Sequence, residues 1–243
     1  MNPNQLIIIG GGSSIKPALS MGLWDKLKGR FTIGLNYSFN YFDSTILCYV
    51  DRTFYDQQRE ELAKLPLIIG KTHRFKEGKL PNTIFLQGTS KYNRDVRKGC
   101  YKSSLVGIFS LSLGIHILDS GICFLLGFDY GEARKKGYDK SDLRAIEQAR
   151  IVDKSGKKYL THFYQEELTH RGTGKINYYN AKDRAKKDFS VYKNEKKIRI
   201  YNVSPDSRIP TFPKIDYSTF FKMLDKHTYD QNELREYIKE KLQ

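Results

Sequence analysis

Cysteine is scarce in this chain: Cys48, Cys100 and Cys123 are the three among 243 residues, and no two form a CxxC pair. Their spacing excludes a disulfide framework and a thiolate metal cluster. Two of them stand inside apolar runs, so the three read as core thiols of a cytoplasmic, reducing compartment. HExxH and DxD are also missing, which leaves no zinc-binding histidine pair and no paired carboxylates for a divalent ion bridging a diphosphate. A site with no metal and no cofactor is expected. The single glycine-rich stretch lacks a following Gly-Lys-Ser/Thr, and Ile15 stands where a dinucleotide fingerprint needs its third glycine. Ordinary P-loop ATPases and NAD-dependent enzymes are thereby disfavoured.

Long hydrophobic runs are absent as well. The chain begins MNPNQLIIIGGG, with four apolar residues in a row and no basic lead-in, so neither a signal peptide nor a membrane span is expected. Ser103 to Leu126 is interrupted by His116, Asp119, Ser120 and Gly121, and reads as a buried helix followed by a buried strand. Acidic residues are in deficit, 27 Asp and Glu against 42 Lys and Arg, for a net charge of +15. The excess is uneven: residues 132–200 carry 19 basic and 10 acidic side chains, whereas residues 201–243 carry seven of each. Such a stretch attracts an anionic partner, whether nucleotide, nucleic acid or acidic membrane, or is a solvated lysine-rich face.

What the chain does contain is an alternation of short aliphatic runs with helical patterns. Leu6 to Ile9 reads as a buried parallel strand entering a tight turn, Ser13 or Ser14 as a helix cap, and Pro17 as a first-turn residue. Strands are expected at Phe31 to Leu35, Thr45 to Val50, Leu67 to Ile69, Thr83 to Leu86, Ile122 to Leu126 and Ile198 to Val203. An amphipathic helix is expected over Thr53 to Leu65, a core helix over Ser103 to Leu118 ended by Gly121, a polar helix over Ala181 to Tyr192, and helices near Tyr217 to Leu224 and Asp230 to Leu242. The fold class that follows is α/β, a doubly wound, mainly parallel sheet with a lid insertion. Three parts compose it: a nucleotide-binding core at 1–131, a basic lid-like insertion at 132–180, and a completion of the same domain at 181–243.

Ligands of such sheets bind at the carboxyl ends of the strands. The residues there are Gly10, Gly11, Gly12, Ser13 and Ser14, then Asn36, Asp51, Ser103 and Ser104, and Asp129 with Tyr130. A glycine triplet between strand and helix lets backbone N–H groups approach an anion, and the same triplet can serve as a structural turn. Histidines His162 and His170 lie in the lid-like segment, where one near neutral pKa could act as a general base or simply face solvent.

Taken in order, LIIIGGGSSIK, LNYSF, SSLVGIFSLSLG, ICFLLGFDYG, TH and IYNVSPDSRIPTF resemble the bacterial sialyltransferases that modify lipooligosaccharide. They also resemble the related Rossmann-like motility accessory factors and hydroxymethylpterin pyrophosphokinase-like proteins. The resemblance implies a donor loop at Gly10, Gly12 and Ser14, a donor-contacting Asn36, and nucleotide contacts from Ser103, Ser104, Ser204 and Ser207 beside Pro205. It implies Tyr130 and Tyr138 on the leaving phosphate and His170 as the catalytic base. Gly11 and Asp51 stand where the sialyltransferases have asparagines, and Ser13 where they have proline; the aspartate is nearer the accessory-factor branch. The activity implied is a metal-independent glycosyltransferase that moves a sugar from a nucleotide-activated donor, such as a CMP-sugar, to a hydroxyl of an anionic acceptor. That acceptor would be a nucleic acid or an acidic glycan, with peripheral membrane contact as a further expectation. Two rival readings are a magnesium-dependent pyrophosphokinase-like transferase and a non-catalytic nucleic-acid binder. Oligomeric state is left open.

Overall fold

The computed structural model describes residues 3–72, 78–101, 105–130, 150–152, 158–160, 163 and 185–243. Five aliphatic runs form strands in the first part of the chain: β1 (Gln5–Ile9), β2 (Thr32–Leu35), β3 (Ile46–Tyr49), β4 (Ile68–Lys71) and β5 (Thr83–Leu86). Two-residue strands β6 (Gly88–Thr89) and β7 (Cys100–Tyr101) pair with each other, and β8 (Gly121–Leu126) follows the core helix. A small antiparallel pair, β9 (Arg150–Val152) and β10 (Lys158–Leu160), precedes β11 (Ile198–Asn202). Seven of these strands make one sheet in the order β11-β8-β1-β2-β3-β4-β5, and every pairing in it is parallel. The protein is thus an α/β, Rossmann-like fold, as the alternation of patterns predicts.

The continuous apolar run of β1 is explained by burial on both faces. Leu6 and Ile8 face the layer that holds the core helix Val106–Leu118 and the C-terminal helix Gln231–Leu242, through Ile108, Leu111, Ile115, Leu234 and Ile238. Ile7 and Ile9 face the opposite layer with Leu23, Leu27, Tyr217 and Phe220. These four aliphatic side chains are fully buried, each worth about 1.5–3 kcal/mol relative to exposure. The core helix is apolar around most of its circumference because it is enclosed, and its two serines are satisfied internally. Ser110 Oγ donates to Val106 O at 2.8 Å, and Ser112 Oγ meets the Tyr192 hydroxyl at 2.5 Å.

Several boundaries differ from the sequence reading. The helix expected over Thr53 to Leu65 is two helices, Arg52–Gln57 and Arg59–Leu62, because Gln58 leaves helical geometry at φ −102° and ψ 13°. The core helix ends at Leu118 through Asp119, at φ 57°, and Gly121 instead opens β8. Its first described residue in helical geometry is Val106; Ser103 and Ser104 lie outside the described residues. Residues 185–189 are helical and lead into a 3-10 turn at Ser190–Tyr192, and Ala185, Phe189 and Tyr192 are buried, so the stretch read as polar carries an apolar face. No helix among the described residues is long and apolar enough to cross a membrane.

Candidate functional site

Strand order reverses at β1. The chain steps from β1 outward through β2, β3, β4 and β5, then returns to place β8 and β11 on β1's other side. Such a reversal opens a crevice beyond the carboxyl ends of the two diverging strands. Its walls here are the loop after β1, Gly10 to Ser14, and the loop after β8, Gly127 to Tyr130.

The two loops are riveted together. Gly10 N–H donates to Leu126 O at 2.7 Å, and Gly12 N–H donates to Gly127 O at 2.9 Å. Ser14 N–H donates to Asp129 Oδ2 at 2.9 Å, the Ser14 hydroxyl donates to Asp129 Oδ1 at 2.5 Å, and the Ser13 hydroxyl makes a longer contact to Oδ2 at 3.4 Å. Gly12 is required by this approach: a Cβ there would lie 2.5 Å from Asp129 Oδ2 and 2.5 Å from Gly127 O. Ser13 and Ser14 are therefore not helix caps. Gly12 is the N-cap of a 3-10 turn at Ser13–Ile15 with no side-chain cap, and the serines serve Asp129. Pro17 does occupy the first turn of Lys16–Leu19.

The late turn joins the same wall. Ser204 Oγ lies 2.8 Å from Ser14 Oγ. Ser207 Oγ donates to Phe128 O at 2.6 Å and accepts from Asn202 Nδ2 at 2.8 Å, while Arg208 N–H donates to Asp129 O at 2.8 Å. Ser207 is thus a clasp that fixes the β8 exit, and Ser204 is the serine of the turn that reaches the glycine loop. Phe163 N–H donates to Gly11 O at 2.8 Å, and its buried ring packs against Tyr41 and Trp24.

Other expected residues take separate places. Asn36 follows β2 at φ 49°, with a buried Oδ1 that has no hydrogen-bond partner among the described residues. Asp51 caps the helix Arg52–Gln57 by accepting from Thr53 N–H at 2.8 Å; that gives it a local structural role. Tyr130, at φ 45°, packs edge-on to Phe189 with ring centroids 5.8 Å apart, and its hydroxyl faces Gly107 in the first turn of the core helix. Burial, aided by the Asp188 charge, raises its phenol above the ordinary range and keeps it a hydrogen-bond donor. Tyr138, His162 and His170 lie outside the described residues, as do Ser103 and Ser104.

Sequence reading missed Tyr217. Its side chain is 7% exposed, its hydroxyl has no hydrogen-bond partner among the described residues, and burial, with the Asp129 charge beside it, raises its phenol. Nothing local marks it: it opens the helix Tyr217–Met223 after the Asp216 cap, where a core aromatic is equally at home. A second depression of about 580 Å³, lined in part by Arg94, Asp95, Arg97, His116, Asp119 and Lys241, opens at the amino end of β8. Its charges answer one another, as in the Arg97–Asp95 pair at 2.8 Å and the Arg94–Asp119 pair at 3.5 Å, and it reads as a salt-bridged surface.

Comparison with known proteins assigns no family: no family model matches the chain, and neither a curated protein nor a solved structure does. The resemblance to the sialyltransferases accordingly rests on the order of its motifs.

Proposed function

We propose that the crevice at the β1 and β8 exits holds a nucleotide-activated sugar, and that the protein is a glycosyltransferase that needs no metal. The observation that carries this reading is the reversal of strand order at β1, which sets a glycine-rich loop and Tyr130 at one crevice. Gly11, whose N–H has no acceptor among the described residues, and the hydroxyls of Ser13 and Ser14 are the groups that would meet the donor's phosphate. Tyr130, held protonated by burial, would donate to the departing phosphate oxygen as negative charge gathers there. His170 would take the proton from the acceptor hydroxyl as that oxygen forms the new bond to the anomeric carbon and the bond to phosphate breaks. The basic excess in residues 132–200 favours an anionic acceptor, a nucleic acid or an acidic glycan.

A thermal-shift screen with cytidine, uridine, guanosine and adenosine mono- and diphosphates tests the binding step. A nucleotide present at one hundred times its Kd should stabilise the fold by about 2.7 kcal/mol. His170→Ala should then retain that shift and lose roughly 10²–10⁴-fold in transfer rate. Absence of any shift, or unchanged turnover in His170→Ala, overturns the assignment. Transfer that stops in chelator would point instead to the pyrophosphokinase-like chemistry.

A further inference from the structure

The glycine loop already holds an anion of its own. The Asp129 carboxylate accepts from Ser14 N–H, from the Ser14 hydroxyl and, at longer range, from the Ser13 hydroxyl, and it fills the space a Cβ on Gly12 would need. An amide N–H directs one strong hydrogen bond, so a ligand oxygen can reach Ser14 N–H only by taking the position of Asp129 Oδ2. A separate observation marks the same place. The Tyr217 hydroxyl is buried beside Asp129 and Ser14 and has no hydrogen-bond partner among the described residues, an unfavourable state that a shifted carboxylate or a ligand oxygen would relieve.

We infer that Asp129 is a specificity-determining residue that ranks phosphate-bearing ligands by their charge. This inference rests on the reading that the loop receives a ligand's phosphate. The carboxylate closes the loop when no ligand is present. When a phosphate approaches, each additional negative charge meets the fixed charge of Asp129 at short range in a partly dehydrated crevice, where repulsion is far stronger than in bulk water. Ligands whose phosphates carry less total charge are therefore favoured over those that carry more. Tyr217 is the donor placed to receive whichever anion, carboxylate or phosphate, moves toward it.

The test is a calorimetric titration of the full chain and of Asp129→Asn with inorganic phosphate, cytidine monophosphate and cytidine diphosphate at low salt. Asparagine keeps the shape and still accepts from Ser14 N–H. Asp129→Ser, with a shorter neutral acceptor, is a second variant, and circular dichroism confirms folding of both. The expected result is an affinity gain of roughly tenfold for the monophosphate on removing the charge, and a larger gain for the diphosphate. If the full chain binds nucleotide and both variants bind equally or more weakly, Asp129 is a ligand contact or a bystander, and the ranking role is wrong while the nucleotide site stands. If the gain is the same for every ligand regardless of charge, the ranking role is again wrong. If no form binds phosphate or nucleotide, the nucleotide reading falls and the role of Asp129 falls with it.

Discussion

Cys48, Cys100 and Cys123 show how single side chains set the chemical tolerance of this protein. All three thiols are free and buried, and burial raises each of them, Cys100 to about 12 from an ordinary value of 9.0. Burial likewise raises the Tyr92 phenol, with the Glu195 charge adding to the effect, to about 12 from 10.0. A raised folded-state value means that the native state retains its protons where the unfolded chain would release them. The stability these groups contribute is thus complete below pH 9 and is lost as pH climbs from 9 toward 12. Urea midpoints measured at pH 8 and pH 10.5 should fall at the higher pH, and thiol reagents should label none of the three cysteines at pH 8 until urea is added. Equal midpoints, or rapid labelling of the native protein, would contradict the buried placement. Residue types alone foretold that these thiols are structural, since Cys48 and Cys123 sit in aliphatic runs. The bond between Asp129 and Ser14 could not be foretold, because 115 residues separate the partners and nothing local to GFDYG says where its carboxylate points.

At the scale of elements, legibility follows burial pattern. β1, β3 and the core helix announce themselves because both strand faces, and nearly the whole helix circumference, are enclosed, so apolar residues dominate each from end to end. The break at Gln58 was invisible because Arg52–Gln57 and Arg59–Leu62 share one amphipathic pattern across it. Gly121 is a similar case. It reads as a helix terminator, yet its role belongs to the strand that follows. At φ 128° it starts β8, and a Cβ there would fall 2.1 Å from Asn4 O, the acceptor for Ile122 N–H at 2.9 Å. Gly121→Ala should therefore destabilise the protein by about 1–3 kcal/mol through backbone strain, with additional loss from the disturbed β1 and β8 pairing. Chemical denaturation checks the magnitude. Hydrogen exchange should show the loss concentrated at Leu6 to Ile9 and Cys123 to Leu126, and a fully neutral substitution would mean that the β8 entrance can shift without cost.

The whole molecule is organised around β1, which has β2 on one side and β8 on the other. Residues up to Tyr101 supply five of the seven sheet strands but none of the core helix, so one face of β1, β2 and β3 would stand bare in that fragment. A fragment spanning residues 1–101 should show no cooperative thermal transition and should bind a hydrophobic dye, whereas the full chain unfolds cooperatively. A sharp transition in the fragment would mean that the first five strands form a self-sufficient unit. The alternation of elements made the parallel sheet readable, but the neighbour order around β1 was set by pairings of high sequence separation and emerged only in three dimensions.

Gly10, Gly12 and Ser14 each donate a backbone hydrogen bond across the divide, to Leu126, Gly127 and Asp129 in turn. The loop after β1 is consequently a zipper whose teeth hold the two wings of the sheet in register. On the proposed reading, a phosphate lodging among those teeth would have to match their spacing or prise them apart, beside strands that five paired residues already lock together.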